Sequence, residues 1–92
     1  MTVRRFRIDI IGKVQGVGFR RATYDVAVRY QISGWIRNAT DRHCVQLEAE
    51  GEEIPLTRFV EWLKQGPTLA QVDDLFVEEM AVQGDHQFEI RR

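Results

Sequence analysis

Residues Gly12-Lys13-Val14-Gln15-Gly16-Val17-Gly18-Phe19-Arg20 join two incompatible periodicities. Upstream, Val3 to Val14 alternates: Phe6, Ile8 and Ile10 share one face while Arg5, Arg7 and Asp9 take the other, the pattern of a half-buried strand. Downstream, Phe19, Ala22, Thr23, Val26, Ala27 and Tyr30 recur at helical spacing. A strand must therefore become a helix within a few residues. Three glycines within seven residues let the backbone fold that tightly and turn its N–H groups toward one point. The new helix adds its free N-terminal donors and positive dipole end. Arg20 adds a permanent cation able to bind in bidentate fashion. Such a constellation fits a small tetrahedral dianion, a phosphate or phosphoryl group, although the glycines alone would also suit a plain turn with Arg20 in solvent.

The remaining pattern sets the fold. The first helix should stop near Ser33-Gly34, after which Trp35 to Arg37 reads as a short strand and Asn38 to His43 as a polar turn. Val45, Leu47 and Ala49 alternate as the next strand, ending at Gly51. Pro55 announces a second helix with Leu56, Phe59, Val60 and Leu63 on one face, and Gly66-Pro67 stops it. A strand over Val72 to Glu79, a loop containing Gly84-Asp85 and a last short strand through Phe88 and Ile90 complete the chain. The order is β-α-β-β-α-β with a short extra C-terminal strand. It predicts an α+β, ferredoxin-like sandwich in which two helices cover one face of an antiparallel sheet. No repeat, linker or low-complexity segment interrupts it, so residues 1–92 read as a single domain.

Ninety-two residues can bury a modest core without disulfide or metal staples. The single cysteine, Cys44, excludes an internal disulfide and suits a reducing compartment. No apolar run approaches the roughly 20 residues of a membrane span. The strand pattern begins at once, which leaves no room for a signal peptide. The expectation is a cytoplasmic protein with no membrane partner, and a monomer. Net charge is only −1, but basic residues prevail up to Arg42 and acidic ones beyond it. A positive half favours an anionic ligand, while the overall balance disfavours a nucleic-acid partner. Arg4, Arg5 and Arg7 read as decoration on a solvated strand face.

Other devices are missing or inert. Neither Gly-x-x-x-x-Gly-Lys-Ser/Thr nor Gly-x-Gly-x-x-Gly is present, since Arg21 occupies the third glycine position of the latter. His43 and Cys44 are adjacent, so on a strand they face opposite ways, and no partner ligands occur at useful spacing. A structural or neutral role is expected for both. His86 reads as a loop residue, and Trp35 and Trp62 as packing residues. Glu52-Glu53, Asp73-Asp74 and Glu78-Glu79 read as solvated or helix-terminal charge.

Asn38 is the second candidate. If the strands bearing Val14 and Asn38 were neighbours, Asn38 would lie near the glycine-rich loop. A carboxamide can both accept and donate, so it could orient a water and contact a phosphoryl oxygen together. A turn asparagine satisfying local backbone groups is the plainer reading. At this point the residues meet a known family. Gly12 to Arg20, quoted above, resembles the signature loop of the acylphosphatases, and Gly34-Trp35-Ile36-Arg37-Asn38 resembles their second signature at matching separation. The resemblance extends over the chain, including Trp62-Leu63 with Gly66-Pro67 behind it and the Phe88-Glu89-Ile90 ending.

The resemblance implies a metal-free hydrolase, without cofactor, that cleaves the carboxyl–phosphate bond of a small acyl phosphate substrate. By the same resemblance Arg20 and Asn38 are the catalytic pair: Arg20 binds phosphate, Asn38 orients water, and the backbone of Gln15, Gly16, Val17, Gly18 and Phe19 forms the cradle. One departure stands out. Arg42 occupies a position where the family usually turns on glycine, and the segment Asp41-Arg42-His43-Cys44 is one residue longer than usual. A bulge or longer loop is the expected accommodation. Two other readings stay open: a non-catalytic domain that holds acyl or carbamoyl phosphate, and an RNA-binding module of the same element order. The latter lacks flanking aromatics, and its Gly16-Val17-Gly18-Phe19 precedes the first helix instead of lying on a later strand.

Overall fold

The computed structural model describes residues 2–92. Strand β1 (Val3–Lys13) leads into helix α1 (Phe19–Arg29), followed by strands β2 (Ser33–Asn38) and β3 (Cys44–Glu52). Helix α2 (Glu53–Leu63), strand β4 (Gln71–Met80) and the three-residue β5 (Phe88–Ile90) complete the order. The strands lie side by side as β4-β1-β3-β2-β5. The four longer strands pair antiparallel, as the element order predicts. The extra strand β5 instead runs parallel to β2, with Gly34 opposite Phe88, so the complete sheet is mixed.

Alternation along β1 decides which face is buried. Ile8 and Ile10 pair with Leu47 and Val45 of β3, and all four are fully enclosed. Val26 and Ala27 of α1 and Leu56, Phe59 and Leu63 of α2 close over them to form one apolar cluster. No helix among the described residues is long and apolar enough to cross a membrane.

The stop of α1 differs from the expectation. The helix ends at Arg29, and Gln31 takes a left-handed conformation (φ 57°). Its N–H bonds to the Val28 carbonyl at 3.2 Å, and the Ile32 N–H bonds to the Ala27 carbonyl at 2.8 Å. This is a Schellman closure with glutamine where glycine is usual. Gly34 belongs to β2, where its φ of 133° and the Glu48 carbonyl leave no room for a Cβ. It is needed for close approach between strands, not for ending the helix.

The second correction concerns Arg5, which is 1% exposed. Its Nε and Nη2 donate to Glu48 Oε1 at 3.0 and 2.8 Å. Its Nη1 donates to Glu50 Oε1 at 3.1 Å and Asp85 Oδ2 at 2.9 Å. Glu50 also accepts the N–H groups of Gln83 and Gly84 at 2.7 and 2.9 Å. The alternation assigned Arg5 to the right face, but residues 81–87 fold back and cover that end of it. Burial by itself would lower the Arg5 pKa. The bonds to Glu48, Asp85 and Glu50 outweigh it and hold the pKa above its ordinary value.

Candidate active site

The opposite end of the sheet carries the glycine-rich loop. Val14, the last residue before it, is buried, and Phe19 at its far side is buried as well. The Phe19 ring packs against Trp62 of α2, with centroids 6.1 Å apart, which pins the start of α1 to the second helix. Between these anchors Gly16 and Gly18 adopt φ of 73° and 76°, while Val17 does not. Open space surrounds the position of a Cβ at either glycine, so the backbone conformation, not crowding, demands them. Left-handed residues alternating with ordinary ones make a backbone concavity of N–H groups.

These donors are unspent. Among the described residues, the N–H groups of residues 16–20 make no hydrogen bond within the protein. Gly18 caps α1 without a side-chain bond, and no acidic residue sits in the first turn. The helix terminus therefore keeps its positive end free for an anion. Arg20, half-buried, spends one Nη1 bond on the Arg91 carbonyl at 3.2 Å and has no carboxylate partner among the described residues. Its remaining donors are free.

Asn38 reaches this place by a route other than the expected one. The strands bearing Val14 and Asn38 are not neighbours, because β3 lies between them. Both run antiparallel to β3, so both end at the same end of the sheet. The half-buried Asn38 side chain makes no hydrogen bond among the described residues, which sets aside the plain turn role. Gly16, Gly18, Phe19, Arg20 and Asn38 all border one open concavity of about 460 Å³. Gln15 and Val17 do not: Val17 packs on the apolar core, and the Gln15 side chain turns toward residues 39–44.

The turn after Asn38 absorbs Arg42 without a left-handed residue, as the positive φ values elsewhere show. It is a wider loop. Ala39 N–H bonds to the Cys44 carbonyl at 3.0 Å, and His43 N–H bonds to Asp41 Oδ1 at 2.8 Å. An aspartate side chain thus provides the turn that glycine would otherwise supply. Cys44 is buried, and burial together with Asp9 and Asp41 raises its thiol pKa, so it is no nucleophile. His43 is exposed beside it.

Three rim residues escaped the sequence reading. Arg21, Ile90 and Arg92 also border the concavity, and no Asp or Glu among the described residues does. Ile90 and Arg92 arrive there because β5 lies parallel to β2, a pairing that three residues do not advertise. Among the described residues, no group of three or more His, Cys, Asp and Glu is gathered to hold a metal.

An α+β sandwich whose strand-to-helix loop leaves N–H donors free beside an arginine without a carboxylate partner among the described residues has the features of an anion-binding protein. The comparisons with known proteins carry this further. The acylphosphatase family model matches residues 6–90. The chain is 44% identical over 81 residues to the acylphosphatase of Pseudomonas aeruginosa, covering 88% of each chain. It is 39% identical over 83 residues to that of Pyrobaculum islandicum, covering 90% of this chain and 87% of that one. The crystal structure of acylphosphatase from Bacillus subtilis superposes with a TM-score of 0.91 at 37% identity, over 99% of this chain and 100% of that one. The chain belongs to the acylphosphatase family.

Proposed function

We propose that this concavity hydrolyses acyl phosphates to carboxylate and inorganic phosphate, with Arg20 and Asn38 as its two catalytic side chains. The observation that carries the reading is their meeting with the unspent N–H groups of residues 16–20 around one opening that, among the described residues, no Asp or Glu borders. The phosphoryl dianion seats on the loop N–H groups, from Gln15 to Phe19, and on the Arg20 guanidinium. Fixed donors of this kind stabilise charge on the three phosphoryl oxygens without reorganising as the reaction proceeds. Asn38 holds a water through its carbonyl oxygen and steadies a phosphoryl oxygen through its NH2 group.

The water attacks phosphorus, the bond to the carboxyl oxygen breaks, and the carboxylate leaves with the bonding pair. Carboxylate is a good leaving group, so no strong acid is required. No His, Asp or Glu among the described residues borders the concavity, and the water proton passes to a phosphoryl oxygen of the substrate itself. Positioning and charge stabilisation supply the catalysis. Arg20 and the N–H groups provide the positive charge that a metal would otherwise bring.

Hydrolysis of benzoyl phosphate with chelator present and no added metal tests the reading. Turnover insensitive to chelator is expected. Chelator-sensitive turnover would overturn the metal-free mechanism, and phosphate binding without hydrolysis would mark a binding domain in place of an enzyme.

A further inference from the structure

We infer that the side chain of Gln15 is a positioning clamp that holds Asn38 in register with the phosphate cradle. This inference rests on the roles given above to Arg20 and Asn38. Gln15 sits on the cradle loop, yet its carboxamide turns away from the concavity. Its Nε2 lies 2.8 Å from the Cys44 carbonyl oxygen, 2.9 Å from that of Asp41 and 3.1 Å from that of Ala39. All three partners are acceptors, so only the NH2 end of the amide fits there. An oxygen in its place would face three carbonyls. Two protons serve three acceptors, and one of them is shared.

The placement of those acceptors gives the clamp its meaning. Ala39 follows Asn38 directly, and Cys44 precedes Val45, the cross-strand partner of Asn38. One carboxamide therefore fastens both sides of the β2–β3 connection to the loop that carries the cradle. The only other hydrogen bond among the described residues from residues 12–20 to residues 38–44 is the backbone bond from Gly12 N–H to the His43 carbonyl, at 2.8 Å. That bond holds the sheet end, not the loop. The turn closes through its own bonds, from Ala39 N–H to the Cys44 carbonyl at 3.0 Å and from Cys44 N–H to the Asp41 carbonyl at 3.2 Å, and Gln15 adds the tie from that closed turn to the cradle loop. A water held by Asn38 must sit in line with the scissile bond, and this spacing is what the three bonds set.

Two variants test the clamp. Gln15→Ala is expected to lower kcat for benzoyl phosphate by about 10- to 100-fold, since a displacement of about 1 Å costs that much, while inhibition by inorganic phosphate shifts by less than about threefold. Amide hydrogen exchange should quicken at Ala39 and Cys44 but not at Ala22. Gln15→Glu places an acceptor-only carboxylate against three carbonyls, which raises its pKa. Its activity relative to wild type should therefore recover as pH falls and the acid regains an O–H donor. A loss of thermal stability with kcat unchanged, or a variant-to-wild-type ratio flat with pH, would overturn the clamp. If wild type hydrolyses no acyl phosphate, the reading of the site fails instead. The exchange measurement then decides the clamp alone, and unchanged exchange at Ala39 and Cys44 sinks it.

Discussion

The two ends of the sheet each hold an arginine, one buried and one half-buried, and they use it in opposite ways. Arg5 makes four side-chain hydrogen bonds to three carboxylates and is 1% exposed. Arg20 makes one, to a backbone carbonyl at 3.2 Å, beside a concavity that no Asp or Glu among the described residues borders. The field of Arg5 is cancelled where it arises, and its bonds tie β1, β3 and residues 81–87 together. The field of Arg20 is left uncancelled and acts on whatever enters the concavity. The deeper burial of Arg5 goes with the three carboxylates that surround it, whereas the half-buried Arg20 has none among the described residues.

Exchanging the fates of the two arginines gives the largest effects. Arg5→Ala leaves Glu50 and Asp85 without their cation and Glu48 with only the 3.7 Å contact to Arg7, and loss of one partner from a buried ion group costs about 3–5 kcal/mol. Urea denaturation should show that loss, while kcat per folded molecule stays near wild type. Arg20→Ala should do the reverse: kcat/KM falls by about 100- to 1,000-fold, the scale for removing one fixed donor to a charged transition state. Its denaturation midpoint should hardly move. An Arg20→Ala protein with full activity would break the comparison, as would an Arg5→Ala protein of unchanged stability.

A smaller effect at the same end separates binding from turnover. Asn38→Ala removes the water holder but leaves the N–H groups and Arg20. Steady-state kinetics should show kcat reduced by about 100-fold, a loss typical of a misplaced reactant, with phosphate inhibition nearly intact. A weakened phosphate inhibition constant with kcat preserved would assign Asn38 to binding alone.

Local chemistry was readable in the chain, and pairing at a distance was not. Gly16, Gly18 and Arg20 could be read together because the strand-to-helix turn is decided within a few residues. Asn38 is linked to them in the sequence by supposing its strand a neighbour of that of Val14, and by resemblance; the actual route, with β3 separating two strands that end together, is a pairing at a distance. Arg5 was assigned to the correct face of β1. What buries it is a segment some 80 residues away (Asp85 bonds to it across a separation of 80), and nothing in the alternation reports that cover. Ser33-Gly34 looked like a helix stop because glycine there has two possible causes. The crowding of Glu48 decides for the strand, while the true stop falls on a glutamine with no mark of a left-handed turn.

That glutamine offers a milder test of the Arg5 end. Gln31 bears the steric cost of a left-handed conformation, about 1–2 kcal/mol for a residue with a Cβ, against the entropy that glycine loses on folding, about 0.5–1 kcal/mol. Gln31→Gly should therefore stabilise the fold by a fraction of the first figure, read as a higher denaturant midpoint, with benzoyl phosphate turnover unaltered. The smallest effect belongs to the neighbouring Arg4–Glu79 pair, a bidentate contact at 2.7 and 3.0 Å on the surface. The bond from Arg4 lowers the Glu79 pKa below the ordinary 4.5. A carboxyl depressed on folding stabilises above its unfolded pKa, and that contribution disappears as pH falls through the folded value. Acid titration of stability should accordingly be shallower below pH 4.5 in Glu79→Gln than in wild type. Identical acid limbs would show that solvent screens the pair completely and leave Arg5 as the sole charged tie at that end whose loss is measurable.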